Sequence, residues 1–108
     1  MSLPINEQTV LVTGAGRGLG ASIATAFARE GASVAVNYRN SGKAAEALAA
    51  RLGDKTSAFG ADVRDGEAVA RMVAEVTERL GAPTTIVHNA PADFSFNGDA
   101  RSKLEALT

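Results

Sequence analysis

From Gly14 to Gly20 every second residue is glycine, in the segment Thr13-Gly14-Ala15-Gly16-Arg17-Gly18-Leu19-Gly20. Where such a segment opens a helix it can hold an anion, because the first N–H groups of a helix lack intrahelical acceptors and the positive end of the dipole favours negative charge. Glycines also permit a tight turn, let backbone approach a diphosphate, and let helix pack closely on strand. The spacing Gly-x-Gly-x-x-Gly fails when started at Gly14, because residue 19 is Leu. It fits from Gly16 through Gly18 and Ala21, a late start relative to the preceding apolar run. No Lys-Ser or Lys-Thr follows, which excludes a Walker A loop. The segment reads as a dinucleotide site; the competing reading is a set of glycines that only make a turn.

A second group of residues bears on which dinucleotide is held. Binders of NAD carry an acid about 20 residues beyond the glycines, where it bonds the ribose 2′-hydroxyl. Here no Asp or Glu lies between Glu30 and Glu46; Tyr38-Arg39 takes the place, with Lys43 shortly after and Arg17 inside the glycine segment. Guanidinium groups bond a 2′-phosphate with charge assistance, whereas an acid would repel it. The expected cofactor is therefore NADP(H), with NAD(H) second; alternatively Arg39 and Lys43 are solvated charges beside a helix.

These residues need elements to position them. Thr9 to Thr13 is an apolar, β-branched run ending at the glycines, which reads as a strand. Leu19, Ile23, Ala26 and Phe27 recur at helical spacing and predict a helix over 18–29, stopped by Gly31. Val34 to Tyr38 is a second strand. Ser41 is the expected cap of a helix with inner face Ala44, Ala45, Leu48, Ala49 and Leu52, ending at Gly53. Thr56 to Gly60 is a weaker strand. Asp65 is placed to cap a helix with Val69, Met72, Val73, Val76 and Leu80 on one face, before Gly81-Ala82-Pro83 and a fourth strand over Thr84 to His88.

The alternation β-α-β-α-β-α-β predicts an α/β fold, a four-stranded parallel sheet covered by helices on both faces. Right-handed crossovers make it a truncated Rossmann-like half with strand order 3-2-1-4. From Asn89 onward Pro91, Gly98 and polar residues read as a loop, and Arg101 to Thr108 as a helix start. Nothing marks a second domain, so residues 1–108 read as the amino-terminal part of one NADP-binding Rossmann domain.

Composition narrows the alternatives. Of 108 residues, 45% are hydrophobic and 21% charged, which suits a globular chain. The net charge of -1 offers no basic field for nucleic acid or anionic lipid. Zero cysteines exclude disulfides, thiolate metal sites and a Cys nucleophile, and a single His excludes a multi-histidine metal site. No apolar run reaches the roughly 18 residues of a membrane span. The amino terminus lacks a secretory signal, and Met1-Ser2-Leu3 is given no weight. The expectation is a cytoplasmic protein without nucleic-acid or membrane partners.

Three motifs carry a resemblance. Thr13 to Gly20 resembles the TGxxxGxG loop of the short-chain dehydrogenase/reductase family, with Gly14, Gly18 and Gly20 in the motif positions. Asp62-Val63 resembles the family's acidic-apolar pair, and His88-Asn89-Ala90-Pro91 resembles its NNAG segment, with His88 for the first Asn and Pro91 for the Gly. The resemblance implies that Asp62 and Val63 hold the adenine, that Asn89 and Ala90 line the ribose side of the cofactor, and that Asn89 steadies the central strands. Pro91 fixes φ and removes an N–H, which alters that corner. His88 is assigned no chemistry. The tail from Asp93 to Ala100 is similar to that of 3-oxoacyl-[acyl-carrier-protein] reductase-like members. The cofactor set is thus Gly14, Gly16, Arg17, Gly18, Leu19, Gly20, Tyr38, Arg39, Asp62, Val63, Asn89 and Ala90, with no metal.

In this family a Tyr protonates the carbonyl oxygen, a Lys four residues later assists it, and a Ser orients the substrate. The only tyrosine here is Tyr38; residue 42 is Gly, and Tyr38 lies on the strand beside the adenosine end. No catalytic residue is therefore assigned. The resemblance implies the cofactor-binding portion of an NADPH-dependent oxidoreductase acting on a ketone or alcohol, with a 3-oxoacyl thioester on acyl-carrier protein as the best substrate, and a homo-oligomer when full length. The chain alone is expected to be inactive, because the Tyr, Lys and Ser are missing from it; a sheet ending at its fourth strand leaves unpaired backbone groups at a central edge, so the remainder of the enzyme is expected to be present at folding. The other readings are a non-catalytic NADP(H)-binding module and an inactive fragment.

Overall fold

The computed structural model describes residues 3–16, 18–40 and 42–89. Seven regular elements alternate as expected: β1 (Thr9–Val12), α1 (Gly18–Arg29), β2 (Ser33–Tyr38), α2 (Gly42–Leu52), β3 (Thr56–Gly60), α3 (Gly66–Arg79) and β4 (Thr85–Val87). A 3₁₀ turn over Ile5–Glu7, which the apolar pattern does not announce, precedes them. The strands form one sheet in the order β3-β2-β1-β4, every neighbouring pair parallel. The 3-2-1-4 arrangement is thus observed.

Side chains alternate across the sheet and build two cores. Val10, Val12, Val34 and Val36 face α1 and α2, meeting Ala24, Ala45 and Leu48. Leu11, Ala35 and Phe59 face the other way, against Met72 and Val76 of α3. Apolar side chains on both faces of β1 and β2 would be costly in a one-sided sheet; here helices cover both, as parallel connections require. Asp65 caps α3 as expected, its Oδ1 accepting from the N–H groups of Glu67 at 3.0 Å and Ala68 at 3.3 Å. Arg79 lies 5.5 Å from the centroid of the Phe59 ring, closing the end of the second core.

Three inward assignments are corrected. Leu19 and Ala26 of α1 are exposed, and the buried stripe runs through Gly20 and Ala24 with Ile23 and Phe27 partly buried beside it. Ala44 of α2 is exposed too, while Ala45, Leu48 and Ala49 are buried. The reason is that α1 and α2 pack on flat valine rows at close range, which selects glycine and alanine for the contact line; the large Leu19 is then rotated outward. Strand ends also shift: β1 stops at Val12, β2 begins at Ser33, and β4 spans only Thr85–Val87. Edge strand β4 is thinly covered, and Ile86 is 62% exposed. The cap expected at Ser41 and the loop and helix expected after Asn89 lie outside the described residues.

Candidate functional site

The carboxyl ends of all four strands meet at one edge of the sheet, where open parallel sheets take their ligands. The glycine segment leaves β1 there and is suspended between its two neighbours. On the β4 side, the Thr13 N–H donates to the Val87 carbonyl at 3.0 Å, and the Asn89 N–H donates to Thr13 Oγ1 at 3.0 Å. Asn89 Nδ2 donates to the Gly14 carbonyl at 3.2 Å, and His88 Nδ1 lies 3.3 Å from Thr13 Oγ1. On the β2 side, the Ala15 N–H donates to the Asn37 carbonyl at 2.8 Å and the Gly14 N–H to Asn37 Oδ1 at 3.2 Å. Asn89 therefore ties the β1 and β4 ends together.

Three glycines in this loop are required by geometry. Gly14 has φ +62° and Gly18 φ +66°, in the left-handed region that side chains disfavour. At Gly20 a Cβ would collide with the Gly14 carbonyl oxygen and would lie 2.9 Å from Ala15 Cα and 3.0 Å from Asn89 Nδ2. Only a glycine lets α1 approach the loop so closely. Gly18 opens α1 and Gly16 lies in the turn before it, while Leu19 is 68% exposed on the first turn. That first turn carries no acid, so nothing there repels an anion at the positive end of the helix.

Asn37, a polar residue within an apolar strand, holds this edge together. It is 2% exposed. Besides accepting from Gly14, it donates through Nδ2 to the carbonyls of Ala61 at 3.1 Å and Phe59 at 3.4 Å, and approaches Met72 Sδ at 3.3 Å. Only one orientation of the amide satisfies both sides. Its signal in the sequence is a lone amide in the apolar run Val34-Ala35-Val36-Asn37-Tyr38.

Beyond β2 and β3 lies a charged cluster. Both oxygens of Asp62 are gripped by Arg64: Nε to Oδ1 at 3.0 Å and Nη2 to Oδ2 at 2.9 Å, with the Arg64 N–H on Oδ1 at 2.9 Å. Arg39 approaches the same carboxylate more loosely, its Nε 3.8 Å from Oδ2. The Arg64 side chain and N–H, then the Arg39 charge, hold the Asp62 carboxyl well below the usual carboxylate range. Val63 follows in a turn at the same end. Tyr38 is partly buried, its ring against Gly60 and Gly42: a Cβ at those positions would lie 2.9 Å and 3.3 Å from it. It serves there as packing between β3 and α2. Lys43 is exposed.

The structure thus gathers Gly14, Gly16, Gly18, Leu19, Gly20 and Asn89 around one loop, and Tyr38, Arg39, Asp62 and Val63 at the neighbouring strand ends. Arg17 and Ala90 lie outside the described residues. Among the described residues no group of three or more His, Cys, Asp or Glu could hold a metal, and no helix is long and apolar enough to cross a membrane.

Comparison with known proteins agrees with this geometry. Versicolorin reductase 1 of Aspergillus parasiticus is 42% identical over 89 residues, covering 80% of this chain and 34% of its own. FolM alternative dihydrofolate reductase 1 from Brucella canis, solved with NADP, superposes with TM-score 0.74 and 27% identity over 90% of this chain and 41% of its own. The 3-ketoacyl-(acyl-carrier-protein) reductase from Brucella melitensis, solved with NADH, gives TM-score 0.72 and 30% identity over 76% of this chain and 34% of its own. The chain spans about a third of the length of the curated relative, 34%. The short chain dehydrogenase family profile matches residues 8–105. With its glycine loop, its parallel 3-2-1-4 sheet and this match, the chain belongs to the short-chain dehydrogenase family of oxidoreductases.

Proposed function

We propose that this chain forms the NADP(H)-binding portion of an oxidoreductase that interconverts a ketone and an alcohol. The observation that carries the reading is a glycine loop pinned at the carboxyl edge, with the guanidinium of Arg39, rather than an acid, following the adjoining strand β2 in sequence. The residues present fit such a cofactor: Gly18 leaves open space for a diphosphate at the first turn of α1, Gly14 and Gly20 let the loop, the helix and Asn89 close up behind it, and Arg39 suits a 2′-phosphate. Asp62 and Val63 would flank the adenine, and Asn89 the ribose side. When bound, a nicotinamide supplies or accepts the hydride.

Tyr38 is not placed to protonate a substrate carbonyl, since it is packed on Gly42 and Gly60. The reading therefore leaves the proton donor and the substrate walls to sequence beyond these residues, and the 108 residues alone are inactive. A 3-oxoacyl thioester on acyl-carrier protein is the proposed substrate, supported by the likeness to a 3-ketoacyl-(acyl-carrier-protein) reductase. A homo-oligomer in the cytoplasm belongs to the same reading.

Calorimetric titration with NADPH and NADH tests it. Arg39→Asp should weaken NADPH by tenfold or more, because an attractive charge becomes a repulsive one beside a phosphate dianion, while NADH changes by about threefold or less. Equal NADPH affinity in the two proteins would remove the 2′-phosphate assignment.

A further inference from the structure

Arg39 does not stand alone at the end of β2. Asp62 lies beside it, and a carboxylate next to a phosphate-binding guanidinium is an adverse arrangement: it repels the phosphate and competes for the same cation. The competition is settled by Arg64. Its fork takes both oxygens of Asp62 at 2.9 and 3.0 Å, a planar bidentate pair, whereas Arg39 touches Oδ2 only at 3.8 Å and through Nε. All three side chains are partly open to solvent, with exposures of 43% for Arg39, 35% for Asp62 and 63% for Arg64. The cluster carries two cations and one anion, so it is net positive only while Arg64 is present.

Resting on the NADP(H) reading above, we propose that Arg64 is a specificity-positioning residue: by occupying the carboxylate of Asp62 it leaves Arg39 available to a ribose 2′-phosphate. Without Arg64 the cluster becomes neutral. Arg39 is then the remaining cation for Asp62, and binding a 2′-phosphate requires that pair to open.

The test uses fragments that isolate this corner, adenosine 2′,5′-bisphosphate and 5′-AMP, titrated calorimetrically into the longest natural polypeptide that carries this sequence. The readout is the ratio of the two dissociation constants, which cancels changes at the adenine. Arg64→Gln should weaken the bisphosphate about tenfold and leave 5′-AMP within about twofold, by the size of charge-pair effects at partly exposed sites. The double variant Arg64→Gln/Asp62→Asn should recover the wild-type ratio, since the competing carboxylate is gone. An unchanged ratio in Arg64→Gln, or no recovery in the double variant, overturns the inference; the latter result would mean that Arg64 contacts the phosphate itself. If wild type binds 5′-AMP and the bisphosphate and only the variants disagree, the cofactor reading survives. Wild type binding neither nucleotide would overturn both.

Discussion

Replacing Asn37 with Asp changes one NH2 to an oxygen at the point where β2, the end of β3 and the glycine loop are tied together. The acceptor side survives, because a carboxylate oxygen still faces the Gly14 N–H, which lies 3.2 Å from Oδ1 in the wild type. The donor side does not: an oxygen replaces the group that donates to the Ala61 carbonyl at 3.1 Å and the Phe59 carbonyl at 3.4 Å. With the residue 2% exposed, water offers little relief. The carboxyl escapes by protonating, since an O–H can donate to Ala61 again. Protonating a carboxyl of ordinary pKa about 3.9 at pH 7 costs about 4 kcal/mol, which sets the ceiling on the loss. A floor of about 2 kcal/mol follows from burying mispaired polar groups. The variant carboxyl has a folded pKa raised above the unfolded one, so its deficit is full above the folded value and fades as pH falls toward about 4, by up to about 1.4 kcal/mol per pH unit. Urea unfolding of both proteins from pH 4 to 8 reads this directly. A deficit below about 0.5 kcal/mol at pH 7, or one that does not vary with pH, would refute the donor role assigned to the Asn37 amide.

Three further outcomes are expected. Asp62 has a folded pKa below its unfolded one, so the stability it contributes is present above the ordinary carboxylate range and lost as pH falls below it; urea midpoints between pH 2 and 6 should therefore fall more steeply for wild type than for Asp62→Asn, and parallel curves would contradict the Arg64 pairing. Gly20→Ala should destabilise by about 1–3 kcal/mol, because the new methyl meets the backbone of Gly14 and Ala15 rather than a flexible side chain, and should weaken NADPH binding in a titration at a temperature where the variant is folded. Asp65→Ala should cost about 1 kcal/mol in chemical denaturation through the lost cap of α3 while leaving NADPH affinity unchanged, since the cap lies outside the glycine loop.

Much of the architecture was legible along the chain because its physics is local. Valine runs stopped by glycine mark buried parallel strands, and Asp65 ahead of an apolar stripe marks a helix start; each of these depends on residues within a few positions. Strand order follows from the same pattern once crossovers are right-handed. The glycine loop was legible for the same reason, since a turn, a strand and a helix meet within eight residues, Thr13 to Gly20. The rotation of α1 and α2 was not. In alanine-rich helices several faces are nearly equal in hydrophobicity, and only contact with the valine rows selects Ala24 over Ala26 and Ala45 over Ala44.

The amino-acid sequence by itself determined that this is an alternating α/β chain with a glycine-rich loop after its first strand and basic residues after its second. Tertiary structure alone decided that Asn37 anchors that loop and that Arg64, rather than Arg39, holds Asp62. An amide on β2 reaches backbone groups of the glycine loop and of the β3 end only after the strands have paired. Likewise, the contest of two guanidinium groups for one carboxylate is settled by distances of 2.9 and 3.8 Å that no spacing along the chain contains.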